Sequence, residues 1–223
     1  MIAWELLDRA RVPGNNTEIC LFKRGREFSI RTNGRELMNS RLHGSEEALS
    51  ELACSRIADR PKARILIGGL GMGFTLAAAL KRVGPGCGVE VAELVPQVAA
   101  WNQGPLAHLA GRPLADNRVT VYEKDVAVLL REGRTVYDAV LLDVDNGPDA
   151  LSSQGNGWLY SRPGLAAVFA ALRNGGVLAV WSAGPDKAFA DRLRRQGFSV
   201  EETRVSARKL GKGGRHTIWI AAR

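Results

Sequence analysis

The chain has 223 residues, 45% of them hydrophobic, enough to bury one substantial α/β core with at most a small appendage. Thirty-one Lys and Arg against 23 Asp and Glu give a net charge of +8, which favours acidic partners in encounter without defining a site. No apolar stretch approaches the roughly 20 residues of a membrane span, and Trp4, Glu5 and Asp8 break the charged-then-apolar order of a secretory leader, so a cytoplasmic protein with no membrane partner is expected.

Residues 18–40 alternate as strands do. Ile19-Cys20-Leu21-Phe22 leads into the turn Lys23-Arg24-Gly25-Arg26. The run from Glu27 to Arg31 leads into Thr32-Asn33-Gly34-Arg35 and then Glu36-Leu37-Met38-Asn39. Gly25 and the Asn33-Gly34 pair supply the positive φ of hairpin turns. Residues 1–44 are therefore expected to form a small N-terminal β region, and 45–223 the main domain. Ser45 followed by Glu46 and Glu47 opens a helix to about residue 58, with Ala48, Leu49, Leu52, Ala53, Arg56 and Ile57 at helical spacing.

Strands and helices then alternate: strand 64–68, helix 74–83, strand 88–93, helix 95–102, strand 118–122, helix 125–132, strand 137–143, helix 162–173, strand 176–181 and helix 185–196. This rhythm predicts a parallel sheet with helices on both faces. Residues 198–208 and 215–222 break it. Both read as strands joined by Gly211-Lys212-Gly213-Gly214, so the last two strands should pair antiparallel. The long irregular segment, 144–161, follows the fourth strand of the alternation, where such sheets handle substrates.

Gly69, Gly71 and Gly73 lie between a strand and a helix, where backbone approaches a ligand closely. Glu93 ends the next strand and is placed to accept hydrogen bonds from ribose hydroxyls. Together they predict an adenosine-containing cofactor. Asp125 either accepts the amine of an adenine or serves as an N-terminal helix acid. Asp143 and Asp145, at alternate positions ending a strand, point to one face beside the cofactor site. A carboxylate there can hold a cationic substrate or take a proton from an attacking amine, and repulsion between neighbouring acids lifts one pKa. Loop capping is the other reading of Asp145 and Asn146. Cys20, Cys54 and Cys87 are odd in number and dispersed, and His43, His108 and His216 lack ligand spacing, so no metal site is expected. The basic run Arg204, Arg208, Lys209, Lys212, Arg215 and Arg223 lacks interleaved aromatics, which disfavours nucleic acid and suits a solvated hairpin.

The stretch 18–58, with its hairpins, Met38-Asn39-Ser40-Arg41 and His43-Gly44-Ser45-Glu46-Glu47, resembles the region before the catalytic domain of spermidine synthases. The glycine run 68–73, Glu93, Lys124-Asp125, the segment 137–148, Leu159-Tyr160, Asn174-Gly175-Gly176-Val177-Leu178 and the terminal hairpin follow in that family's order. The resemblance implies a Rossmann-like class I methyltransferase fold, with a seven-stranded, mostly parallel sheet whose last strand is antiparallel. It implies a pocket for S-adenosylmethionine or its decarboxylated form, with methylthioadenosine as product, Glu93 on the ribose and Asp125 near the adenine. It further implies a small-molecule acceptor such as a polyamine, and a homodimer. Polyamine-forming members carry two acids separated by two residues at the end of the fourth strand; here that spacing gives Asp143 and Asn146, with Asp145 as a substitute. Leu70 and Met72 stand where the family is more polar, and Leu42-His43 is the nearest approach to its Tyr-Gln or Tyr-His pair.

The expected activity is thus transfer of an aminopropyl or methyl group from a sulfonium nucleoside to a small acceptor. A non-catalytic nucleoside-binding protein descended from such an enzyme is the alternative. A nicotinamide-dependent oxidoreductase fits less well, because the terminal antiparallel hairpin counts against it.

Overall fold

The fold was analysed in a computed structural model that describes residues 2–14, 17–144, 157–207 and 214–223. Four strands open the chain: β1 (Glu5–Arg11), β2 (Glu18–Arg24), β3 (Glu27–Thr32) and β4 (Arg35–Asn39), each antiparallel to the next. Asn33 (φ 48°) and Gly34 (φ 74°) both lie in the left-handed region that a two-residue hairpin turn requires. Periodicity does not predict β1. Of Glu-Leu-Leu-Asp-Arg-Ala-Arg only Ala10 is buried, and the strand is held by its pairing with β2 and by the Trp101 indole N–H donating to Asp8 at 2.7 Å.

After α1 (Gly44–Ser55) comes a seven-stranded sheet, made of β5 (Arg64–Gly68), β6 (Gly88–Ala92), β7 (Val119–Tyr122), β8 (Tyr137–Leu142), β9 (Leu172–Ser182), β10 (Ser199–Ser206) and β11 (Arg215–Ala222). Its order is β10-β11-β9-β8-β5-β6-β7, and β11 alone runs against its neighbours. This is the class I methyltransferase architecture. β9 begins at Leu172, ahead of the expected 176, because Leu172 is already extended and pairs with Tyr137. The Gly175 turn (φ 69°) follows where the register shifts.

Strand residues divide between the two faces at period two. Ile65, Ile67, Ala139, Leu141, Val177 and Ala179 join one cluster with α1, α2 (Phe74–Arg82), α3 (Pro96–Gln103) and Leu21, Phe28 and Ile30 of the N-terminal sheet. Leu66, Val140, Leu142, Leu178 and Val180 join the other, with α4 (Val126–Glu132), α5 (Arg162–Ala171) and α6 (Lys187–Gln196). Each fully buried Val, Leu or Ile among them contributes about 1.5–3 kcal/mol, so both faces must be covered. The N-terminal sheet supplies part of the cover on the first.

Strand order reverses at β5, which lies between β6 and β8. In open α/β sheets ligands bind outside the C-terminal strand ends at such a point. Among the described residues no helix is long and apolar enough to cross a membrane, and no three His, Cys, Asp or Glu side chains group as metal ligands do.

Candidate functional site

Hydrogen bonds continue the sheet ladder one step past the strand ends. Gly69 N–H donates to Ala92 O (2.9 Å), Glu93 N–H to Tyr122 O (2.9 Å) and Asp143 N–H to Gly68 O (3.0 Å). Three elements distant in sequence thereby deliver Gly69, Glu93 and Asp143 to one rim. Asp125, entering α4 after β7, stands at the same end of the sheet.

The glycine bend is required by its surroundings. Gly69, Gly71 and Gly73 have φ of 89°, 54° and 80°. A Cβ on Gly69 would lie 2.4 Å from the Asp143 carbonyl oxygen, whereas one on Gly71 would meet only the tip of the Met38 side chain, Sδ and Cε both at 2.9 Å. The first obstacle is backbone and the second a flexible thioether. Gly69→Ala is therefore expected to lose stability by about 1–3 kcal/mol from backbone strain alone, with Gly71→Ala milder, as urea unfolding midpoints will show.

Glu93 is 7% exposed. Its Oε2 accepts from Leu70 N–H and its Oε1 from Val95 N–H, both at 2.9 Å. Burial raises its pKa above the ordinary carboxylate value, and the backbone donors, those of Gly71 and Leu94 included, oppose the rise. Only the Leu70 and Val95 bonds have full hydrogen-bond geometry, and they take half of the roughly four lone-pair positions of an ionised carboxylate. A hydroxyl-bearing ligand thus still finds acceptors, on a side chain already locked to the glycine bend. Asp125 N-caps α4, its Oδ1 accepting from Ala127 N–H at 2.8 Å, which is the helix-acid reading of that residue.

Asp143 is half-buried, with Oδ2 accepting the Thr75 hydroxyl at 2.5 Å. Burial raises its pKa to about 6 against the lowering effect of Thr75. Facing it is an acid whose sequence context marks it only as a helix-start residue. Glu46, 8% exposed in the first turn of α1, is raised to about 7, first by burial and then by repulsion from Asp143, while the Ser45 hydroxyl donating to its Oε2 (2.6 Å) works the other way. Among the described residues no basic side chain contributes to the state of either acid. The contrast with Asp138, at the opposite end of β8, is direct. That buried carboxylate is held by Arg60 at 2.6 Å, Arg173 at 2.7 Å and the Arg64 N–H at 2.8 Å. Acids withdrawn from water without a compensating cation are costly, so two of them at the strand ends point to a ligand's charge or to a proton in play.

Periodicity carries a trace of Glu46. It shares the buried face of α1 with Leu49, Ser50 and Ala53, one or two helical turns on. Asp145 and Asn146, and most of the basic segment around residues 208–213, lie outside the described residues. Two surface depressions stand elsewhere: one of about 180 Å³ beside Trp4 and Arg24 on the N-terminal sheet, the other of about 440 Å³ between Arg131, Trp158 and Ala167.

The sequence matches no protein-family model and no curated protein. Solved structures are similar in fold. The spermidine synthase from Thermotoga maritima superposes with a TM-score of 0.76 at 16% identity, over 97% of this chain and 72% of its own. A spermidine synthase in complex with the transition state analogue AdoDATO gives 0.74 at 16% identity, over 97% and 72%. A probable spermidine synthase from Corynebacterium glutamicum ATCC 13032 gives 0.64 at 16% identity, over 98% of this chain and 79% of its own. The chain therefore has a spermidine-synthase-like α/β fold, a Rossmann-like sheet preceded by a small antiparallel one.

Proposed function

We propose that the chain is a group transferase dependent on a sulfonium nucleoside, of the spermidine-synthase-like branch, with a small-molecule acceptor. The observation that carries this reading is the rim itself, where a glycine bend, the buried Glu93 locked to it and the acid pair of Asp143 and Glu46 meet at the strand-order reversal. Glu93 would hold the ribose, Gly69, Gly71 and Gly73 would bring backbone close to the nucleoside, and Asp125 would stand near the adenine. When bound, the nucleoside supplies an activated carbon electrophile. The protein's contribution is then to place the acceptor and receive its proton.

The acid pair also selects among ligands. A carboxylate beside Asp143 and Glu46 is repelled and an ammonium is attracted, strongly so where water is scarce. This favours decarboxylated S-adenosylmethionine over the intact form, an amine acceptor over an acidic one, and hence aminopropyl transfer over methyl transfer. Asp145 is proposed as a further acid of the acceptor site.

Thermal-shift measurements with S-adenosylmethionine, its decarboxylated form, methylthioadenosine and NAD test the reading. A ligand that binds only the folded state at a hundred times its Kd stabilises by about 2.7 kcal/mol. The decarboxylated nucleoside and methylthioadenosine should raise the melting temperature of the wild type, and Glu93→Ala should abolish the rise. Stabilisation by NAD alone would overturn the proposal.

A further inference from the structure

A hydrogen-bonded chain leads from the acid pair toward the surface. The Ser45 side chain is fully buried; its hydroxyl donates to Glu46 Oε2 at 2.6 Å and meets Nδ1 of His216 at 2.8 Å. His216, on β11, is half-buried with the Trp181 ring edge-on to it (centroids 4.6 Å apart), and its Nε2 faces the exposed Gly214. On the inner side Glu46 is faced by Asp143, itself held by Thr75, and by the neighbouring Glu47. Arg215 flanks His216 on β11.

A serine hydroxyl carries one proton and serves one acceptor at a time. While Ser45 donates to ionised Glu46, His216 must present a proton on Nδ1. Once Glu46 is protonated and donates to Ser45, the hydroxyl turns to a bare Nδ1 and the imidazole keeps its proton on Nε2. The same three side chains thus have two bonding states, differing by protons passed along the chain.

We propose that Glu46, Ser45 and His216 form a proton relay that carries the acceptor's released proton from Asp143 to solvent at His216 Nε2. The proposal rests on the transferase reading, which supplies that proton. The acceptor's lone pair forms the bond to the transferred carbon, the carbon–sulfur bond breaks with its electron pair left on sulfur, and the acceptor's proton goes to Asp143. Asp143 passes it to Glu46, the acid that Ser45 contacts. While Glu46 holds that proton, the imidazole exchanges its Nδ1 proton for one on Nε2 through water, with no net uptake, and the Ser45 hydroxyl turns to the bare Nδ1. Glu46 then protonates Ser45 Oγ as the hydroxyl's own proton moves to Nδ1, and the imidazolium releases its Nε2 proton to water, leaving Glu46 ionised. Burial, which holds His216 below its usual 6.5, makes that release favourable. Asp143 is left as a carboxylate for the next acceptor.

The full-length protein with 15N-labelled histidine tests this without turnover, His216 being assigned by its loss in His216→Gln. The wild type is expected to hold the Nδ1–H tautomer at about pH 8 and the Nε2–H tautomer at about pH 6, because the state of Glu46 sets the Ser45 hydroxyl. Glu46→Gln should abolish the change. One tautomer at both pH values, or a change that persists in Glu46→Gln, would overturn the relay. In turnover, read as methylthioadenosine release from decarboxylated S-adenosylmethionine with putrescine as probe, Ser45→Ala should lower kcat by about tenfold or more at unchanged KM, and Ser45→Thr should restore most of it. Unchanged kcat in Ser45→Ala overturns the relay alone. Failure of the wild type to bind any of the nucleosides overturns the transferase reading and the relay with it.

Discussion

Asp143→Asn is expected to lower turnover by roughly 10²–10⁴-fold, the usual contribution of a positioned general base, while leaving nucleoside affinity nearly unchanged. Asparagine has the shape of aspartate, and its Oδ1 can still accept the Thr75 hydroxyl that Asp143 holds at 2.5 Å. What it loses is the negative charge and the ability to take a proton. Glu93 fixes the glycine bend through Leu70 and Val95, whereas Asp143 is held by Thr75, so the nucleoside's own contacts persist. The check is steady-state kinetics beside a binding titration with methylthioadenosine. Equal turnover in the variant would remove Asp143 from the chemistry. Weakened binding with normal turnover would make it a nucleoside ligand instead.

The second large effect is on stability. In the folded protein Glu46 titrates at about 7 rather than at the 4.5 of an unperturbed glutamate, so between these values the folded state holds a proton that the unfolded chain has released. Stability from this source is fully present below about pH 4.5 and is lost as pH rises through about 7. At about 1.4 kcal/mol per pKa unit the gap corresponds to roughly 3 kcal/mol. Asp143 acts in the same direction, but the two acids repel each other, so their effects do not simply add. His216 acts in the opposite direction below about 6.5, where protonating the buried ring costs stability. The difference between variants isolates the glutamate. Glu46→Gln is expected to be more stable than wild type at pH about 8 by up to roughly 3 kcal/mol and nearly equal to it near pH 4.5. Urea unfolding at both ends of that range measures it. A constant offset between the two proteins at all pH values would mean that Glu46 is not titrating in the folded state.

Both effects concern residues whose visibility in the sequence differs sharply. The glycine bend, Glu93 and Asp143 are legible because each follows from a local pattern: a run of apolar strand residues, an abrupt Gly-Gly-Leu-Gly-Met-Gly break, and an acid where a buried strand emerges. The reversed last strand is equally legible, since a glycine turn replaces the crossover helix that a parallel strand needs. β1 is not, because its residues neither alternate nor enter the core beyond Ala10. Glu46 presents in sequence the signature of an ordinary helix start. Met38 reads as a strand residue, and nothing adjacent to it shows that its thioether covers Gly71.

Residue order and periodicity carry the alternation of strands and helices, the faces they bury and the acids at the strand ends, because side-chain direction repeats every two or 3.6 residues whatever lies beyond the segment. Which helix covers which strand end is a matter of packing. α1 comes to lie over the tips of β8 and β11 because the first face of the sheet must be covered, and this brings Glu46 to Asp143 and Ser45 to His216. Their chemistry follows from that encounter, since desolvation and like-charge repulsion arise from neighbours in space rather than in sequence.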